Sequence, residues 1–345
     1  MNTIDAYRQE IHMQVPYIRS AAFGGGGSGG GGSGGGGNTY LPDPARPDST
    51  FTIFSGSGDS LVASMLAEYF SGGRSRAMDP SDIIRDARLA ESALLYLVSV
   101  SGNTAATIRA ARRCANPVAV TANPKSRLAR AVGGRRRTIP LEFRHTGVTT
   151  AGSISFTASA LRCISLACGD EPDRATVQPS AASRVFERAR RDAAATITTD
   201  AAATGTGRMG GSLYILGNLL TYPLAMYAAA KFYEVLGYDA RYARIEQFFH
   251  MELFSARRGD TVLMFEEPGS RSGRMAGALG EAGINVANPC GIPKRSGLHG
   301  PLLQVLYCAF YSQLLTLGMA DALGLAECHF VTARDLRSAS NAVIY

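Results

Sequence analysis

From Phe51 onward the chain keeps switching period, from short wholly apolar runs to helix-spaced ones, and that alternation most limits what it can fold into. An apolar run with no polar interruption is buried on both faces, and when a helix-period segment follows it, the pair reads as a strand and its crossover helix. Strands are expected at FTIFS (51–55), LLYLVS (94–99), PVAVTA (117–122) and TIPLEF (138–143). Helices are expected at about 59–71, 104–114 and 126–132, with an apolar helix at about 149–168. The pattern breaks at GDEPDRATVQPS (169–180), passes through a charged helix at about 181–197 and a Gly/Ala/Thr-rich stretch, and restarts at SLYILG (212–217). A helix at 221–237, strands near 240–244, 260–265 and 284–288, a helix at 271–283 and a long helix at about 299–322 complete it. The expected fold class is α/β, with two doubly wound parallel-sheet domains of flavodoxin-like three-layer form in tandem.

The 345 residues suit two domains. Before them stands a helical segment, 1–23, that is expected to dock on the body or on a partner subunit. Residues 24–37, GGGGSGGGGSGGGG, have the regular repeat of a designed flexible spacer and are read as an inserted linker, a natural low-complexity linker being the other reading. The first domain is placed at 38–178, a connecting helix and linker at 179–211, and the second domain with a C-terminal helix and tail at 212–345.

Composition narrows the classes. Hydrophobic residues make up 46%, and 35 basic against 28 acidic residues give +7, which suits either a nucleic-acid partner or a site that takes anions. The one tight basic run, RRR at 135–137 near Arg130, has no interleaved aromatics and is read as solvated surface, so no nucleic-acid partner is expected. Cysteines 114, 163, 168, 290, 308 and 328 lack CxxC spacing and a histidine at ligand spacing, and are read as buried thiols. With no signal peptide and no uninterrupted apolar span, the expectation is a soluble cytoplasmic protein without a membrane or metal partner.

Ligands of parallel sheets collect where strands end and helices begin. SVSGNT (99–104) stands at such a junction: Ser99, Ser101 and Thr104 are short hydroxyl donors, Gly102 lets the backbone approach closely, and Asn103 and Thr104 open the helix. Several donors without a fixed positive charge suit a reversibly held phosphate monoester, and an ordinary capped turn is the bland alternative. SGSGDS (55–60) repeats that character with Gly56, Ser57 and Ser60, and it is neither a GxGxxG nor a GxxxxGK[ST] loop.

GSGDS and SVSGNT, about forty residues apart, followed by PVAVTANPKSRLARAV, resemble the paired loops, strand and helix of the sugar isomerase (SIS) domain family. That resemblance implies that Ser57, Ser60, Ser99, Ser101 and Thr104 bind the phosphate of a phosphosugar. YILGNLLTYPLAMYAAAKFYEVLGYDARYARIEQFFHMEL (214–253) is similar to part of the second domain of tandem members, the isomerase part of glucosamine-6-phosphate synthase among them. HME at 250–252 is similar to the HNE of the bifunctional phosphoglucose/phosphomannose isomerases. EEPGSRSGRM (266–275) stands in place of a second SxSGxT loop, so this half is expected to supply catalytic groups to the first domain's ligand.

Aldose–ketose interconversion needs a group that opens the ring and a carboxylate that moves a proton between C1 and C2. Glu246, His250 and Glu252 are the candidates, with His250 tied to ring opening by the resemblance; a histidine packed beside Phe248 and Phe249 is the alternative. The resemblance fails at two places: Arg241 stands where the synthase's isomerisation glutamate is expected, and Ser338 where its lysine is. Glu234 reads as a helix residue facing solvent or a salt bridge. His299 and His329 read as a cap neighbour and a buried packing residue. The expected function is cofactor-independent isomerisation of a hexose 6-phosphate by a homodimer. The rivals are a phosphosugar-binding sensor without catalysis and an amino-sugar-phosphate deaminase or deglycase.

Overall fold

A computed structural model describes residues 1–23, 51–169, 177–204, 211–266, 269–289 and 300–345. The Gly/Ser run 24–37, Cys290 and His299 lie outside them. The chain divides into two compact units, one built from 16–144, 158–176 and 340–345, the other from 1–15, 145–157 and 177–339.

The first unit carries a five-stranded parallel sheet in the order β2-β1-β3-β4-β5: β1 (Thr52–Ser55), β2 (Ser75–Met78), β3 (Leu94–Val98), β4 (Pro117–Thr121) and β5 (Thr138–Pro140). Parallel neighbours need crossovers. Helices α2 (Asp59–Phe70), α3 (Pro80–Arg85), α4 (Ala105–Ala111) and α5 (Arg127–Ala131) supply them. Alternation along the strands sends Ile53, Leu95, Leu97 and Ala119 into one core with Ile83 of α3, Ile108 of α4 and Leu128 of α5. Phe54 and Tyr96 point to the opposite face and stack with ring centroids 5.0 Å apart. The strand β2 was not expected; its sequence, SRAM, is short, half-exposed and at a sheet edge, so it shows neither an apolar run nor alternation.

The second unit carries a four-stranded parallel sheet in the order β7-β6-β8-β9: β6 (Leu213–Gly217), β7 (Ala240–Arg244), β8 (Thr261–Phe265) and β9 (Asn285–Ala287). Around it run α1 (Thr3–Phe23, its first part), α6 (Ile154–Cys168, its start), α7 (Pro179–Thr204), α8 (Thr221–Lys231), α9 (Ile245–His250), α10 (Ser270–Glu281), α11 (Pro301–Ala322), α12 (His329–Thr332) and α13 (Arg334–Ile344, its first part). The helix expected at 221–237 stops being α-helical at Lys231. It continues as a π-helix over Phe232–Leu236, and Gly237 ends it in the left-handed conformation. By length and composition α11 is the one described helix able to cross a membrane, and most of it is buried against other parts of the protein.

The docking of α1 within this unit begins with polar and ionic contacts in its first turns and continues as a buried amide chain. Thr3 Oγ1 donates to Glu327 at 2.5 Å, and Arg8 forms a two-pronged ion pair with Asp321. Beyond them Gln14, fully buried, donates to Gln313 Oε1 of α11 at 2.6 Å and accepts from Thr157 Oγ1 of α6 at 2.5 Å. Gln313 Nε2 donates onward to Tyr227 Oη of α8 at 2.8 Å, and Tyr227 donates to the Gly152 carbonyl at 2.7 Å. Such a chain stabilises only when complete, because a buried amide that loses its partner keeps its desolvation cost. Gln14→Ala strands Thr157 and part of Gln313, and it should lower unfolding free energy by about 1–3 kcal/mol in urea denaturation.

Candidate functional site

The register fixes where the two serine loops stand. Thr52 pairs with Leu94 and Ser55 with Leu97, so β1 and β3 end side by side. The chain leaves β1 toward β2 on one side and returns as β3 on the other. At that reversal the connections diverge and open a crevice at the carboxyl edge, the usual ligand position in an open α/β sheet. The loops 56–58 and 99–104 flank it.

The later loop is tied to itself and to β4. Gly102 N donates to the Ser99 carbonyl at 3.1 Å and to Ser99 Oγ at 3.2 Å, and Ser99 Oγ lies 3.2 Å from Thr104 Oγ1. Asn103 N donates to Ser101 Oγ at 3.2 Å. Gly102 has φ 64°, and a Cβ there would stand 2.1 Å from Ser126 Oγ, so the backbone can pass only as glycine. Leu128 N donates to the Gly102 carbonyl at 2.9 Å, which fastens the loop to the start of α5.

The earlier loop is equally tight: a Cβ on Gly56 would stand 2.6 Å from Ser60 Cβ and 2.9 Å from the Val98 carbonyl. Ser57 and Ser101 are exposed at the mouth, Asn103 and Thr104 are half-buried, and Ser60 and Ser99 are buried. Among the candidates, then, Ser57 and Ser101 present open hydroxyls, while Ser99 shapes the turn. Ser55 Oγ, at the end of β1, is fully buried with no hydrogen-bond partner among the described residues. Asp59 opens α2, where a carboxylate favours the helix end and competes with an anionic ligand for it.

In the other unit, Glu246 and His250 share a face of α9, with Glu246 Oε1 3.6 Å from His250 Nε2 and Glu246 Oε2 2.7 Å from the Arg271 guanidinium. Their side chains are 64% and 71% exposed, so His250 is not the packed histidine beside Phe248 and Phe249. Glu252 lies apart from that pair, in a 3-10 turn (Glu252–Ser255), with one carboxylate oxygen buried and without a partner among the described residues. Tyr222 is the aromatic beside it: burial first, then Tyr242, push its phenol above the usual range, and the Arg244 guanidinium sits 4.5 Å over its ring.

A buried cation was missed by the sequence reading. Lys231, at the end of α8, is fully buried; its Nζ is 2.6 Å from Glu234 Oε2 and 4.8 Å from the centre of the Tyr227 ring. Glu234 lies in the π-helical turn, a backbone form that recurs at functional sites. The salt bridge expected of Glu234 is present. The available signal was a lysine in the largely apolar run AMYAAAKFYEVL, four residues after Tyr227 and three before Glu234, the one other charge in it. A lysine and a carboxylate so placed form an acid–base couple. His329 packs its ring against Gly237, where a Cβ would stand 2.5 Å from it, and burial raises the thiol of neighbouring Cys328. Burial takes Cys163 to about 12. Among the described residues no group of His, Cys, Asp and Glu could hold a metal ion.

Two parallel sheets flanked by helices, with the first reversing at β1/β3, make a mixed α/β fold that is shared by solved structures of proteins acting on sugar phosphates. Glucosamine-6-phosphate deaminase from Thermotoga maritima shares it at 16% identity and TM-score 0.69, over 93% of this chain and 96% of that one. The C-terminal domain of glucosamine-fructose-6-phosphate aminotransferase from Francisella tularensis does so at 17% identity and TM-score 0.67, over 93% and 98%. Tagatose-6-phosphate ketose/aldose isomerase from Escherichia coli follows at 16% and 0.63, over 93% and 91%. At these identities the likeness is one of fold. No protein-family model matches the chain, and no curated protein sequence does.

Gly102→Ala would force both a left-handed alanine and a clash with Ser126. It should cost about 2 kcal/mol or more in urea denaturation, whereas Ser101→Ala, at an exposed site, should leave the midpoint unchanged.

Proposed function

We propose that the protein is a phosphosugar isomerase that interconverts an aldose and a ketose hexose 6-phosphate without a cofactor, as a homodimer of chains with two sugar-isomerase-type domains, 38–178 and 212–345. The observation that carries this reading is the pair of glycine-locked, hydroxyl-rich loops at the β1/β3 reversal. Rigid donors held before the ligand arrives lose little entropy on binding, and open hydroxyls with backbone N–H groups satisfy phosphate oxygens.

In the reaction a base takes the proton of the C1 hydroxyl while an acid protonates the ring oxygen, and the ring opens. A carboxylate then removes the C2 proton to give a cis-enediol and returns it to C1, as a proton passes from O2 to O1. His250 with Glu246 is assigned the first step, and Glu252 or Glu246 the second. Glu234, with Lys231 beside it to balance its charge, is the added candidate for the second step.

A specific observation supports the rival sensor reading: Glu246 is open to solvent and engaged by Arg271, where a base is usually desolvated and free. Incubation with fructose 6-phosphate, followed by separation of aldose and ketose, and a parallel incubation with glucosamine 6-phosphate, followed by an ammonia assay, distinguish the readings. Aldose formation is expected. Unchanged substrate with a raised melting temperature would establish the sensor, and ammonia from glucosamine 6-phosphate the deaminase. Ser101→Ala should weaken binding about tenfold with kcat little changed, and Glu234→Gln should lower kcat about 10²- to 10⁴-fold with binding kept.

A further inference from the structure

Residues 92–141 contain nine basic side chains and no carboxylate, more positive charge than the whole chain's net +7. All nine are exposed, and among the described residues none pairs with an Asp or Glu side chain, although Arg127 donates to the Tyr345 main-chain oxygen at 3.2 Å. Topology sorts them. Because α4 and α5 run back against the strands, Arg112 and Arg113 after α4, Arg130 in the last turn of α5, and Arg135–Arg137 before β5 all come to the amino edge of the sheet. One contact shows that the segments meet there: the Arg137 guanidinium donates to the Ala115 carbonyl at 3.2 Å, in the turn that leads from Arg113 into β4. In sequence the run 135–137 stood alone and read as solvated surface. In the fold it is half of a cluster on the edge opposite the serine loops.

We propose that this arginine edge binds the phosphodiester backbone of double-stranded nucleic acid without reading its sequence. Guanidinium forks match phosphate oxygens in pairs, and on this edge the six arginines outnumber the exposed Glu91 that precedes β3, while Asp86 is paired with Arg88. No large hydrophobic side chain in 92–141 is exposed. Single-stranded bases would therefore find nothing to stack on, and a bilayer no apolar face to take in. A duplex, which offers its charge on the outside at regular spacing, needs neither. The inference stands apart from the isomerase reading, since it uses the other edge of the sheet.

The test is fluorescence anisotropy of a labelled mixed-sequence duplex with the full chain at low salt. Binding is expected, with log affinity falling against log salt at a slope of about −4 if four or five phosphates are neutralised. Changing Arg112, Arg113, Arg135, Arg136 and Arg137 each to Gln should weaken binding about 100-fold and flatten the slope. Should that variant not fold, Arg135→Gln with Arg136→Gln should still cost about tenfold. Lys125→Gln with Arg127→Gln, at the opposite edge, should leave the affinity as it was. No duplex binding at low salt, equal loss in both sets of variants, or capture by phosphatidylserine vesicles in place of the duplex would each overturn the proposal.

Discussion

Two parallel strands cannot be closed by a turn, and this constraint organises the molecule. Every strand must be followed by a crossover that returns outside the sheet, so each strand's carboxyl end meets the start of the next connection and each amino end the close of the previous one. In the five-stranded sheet this polarity separates two chemistries. Glycines and hydroxyls gather at the carboxyl edge, where backbone N–H groups point outward, and guanidiniums gather at the amino edge, where helices expose carbonyl ends that favour cations. Placing β2 on the far side of β1 opens the crevice between the two serine loops.

The strands buried on both faces were legible because burial leaves an unbroken apolar run: β1, β3, β4, β6 and β8 all fall within the segments expected of them. Where the environment is mixed the signal fades. Edge strand β2 has too few apolar residues to show a period, and β5 pairs over three residues of a run that read as six. The extra residue per turn in Phe232–Leu236 leaves no mark in composition, so the end of α8 looked like ordinary helix. The serine loops were legible as chemistry, since hydroxyls and glycine concentrate there. Which hydroxyls stay open was not, because that depends on Thr121 of the next strand and Ser126 at the start of α5 pressing on Gly102.

Lys231 shows why a buried charge escapes a pattern argument. Its aliphatic stem fits an apolar helix face, and only its head group needs special provision. Removing an ammonium from water costs several kcal/mol unless an anion and further contacts replace the hydration; here Glu234 and the face of Tyr227 do so. The same tyrosine joins Gln313 and the Gly152 carbonyl, so one ring serves both the cation and the amide chain that reaches α1.

The grip on α1 has a topological meaning. Thr3, Arg8, Glu10 and Gln14 find their partners after residue 145, on Asp321, Glu327, Gln313, Thr146, Ser153 and Thr157. Its first three turns are thus held by side chains rather than by the peptide that follows them. In that respect the helix is a ligand that happens to be tethered: its covalent tie sets its effective concentration, while the recognition would be the same for a separate peptide.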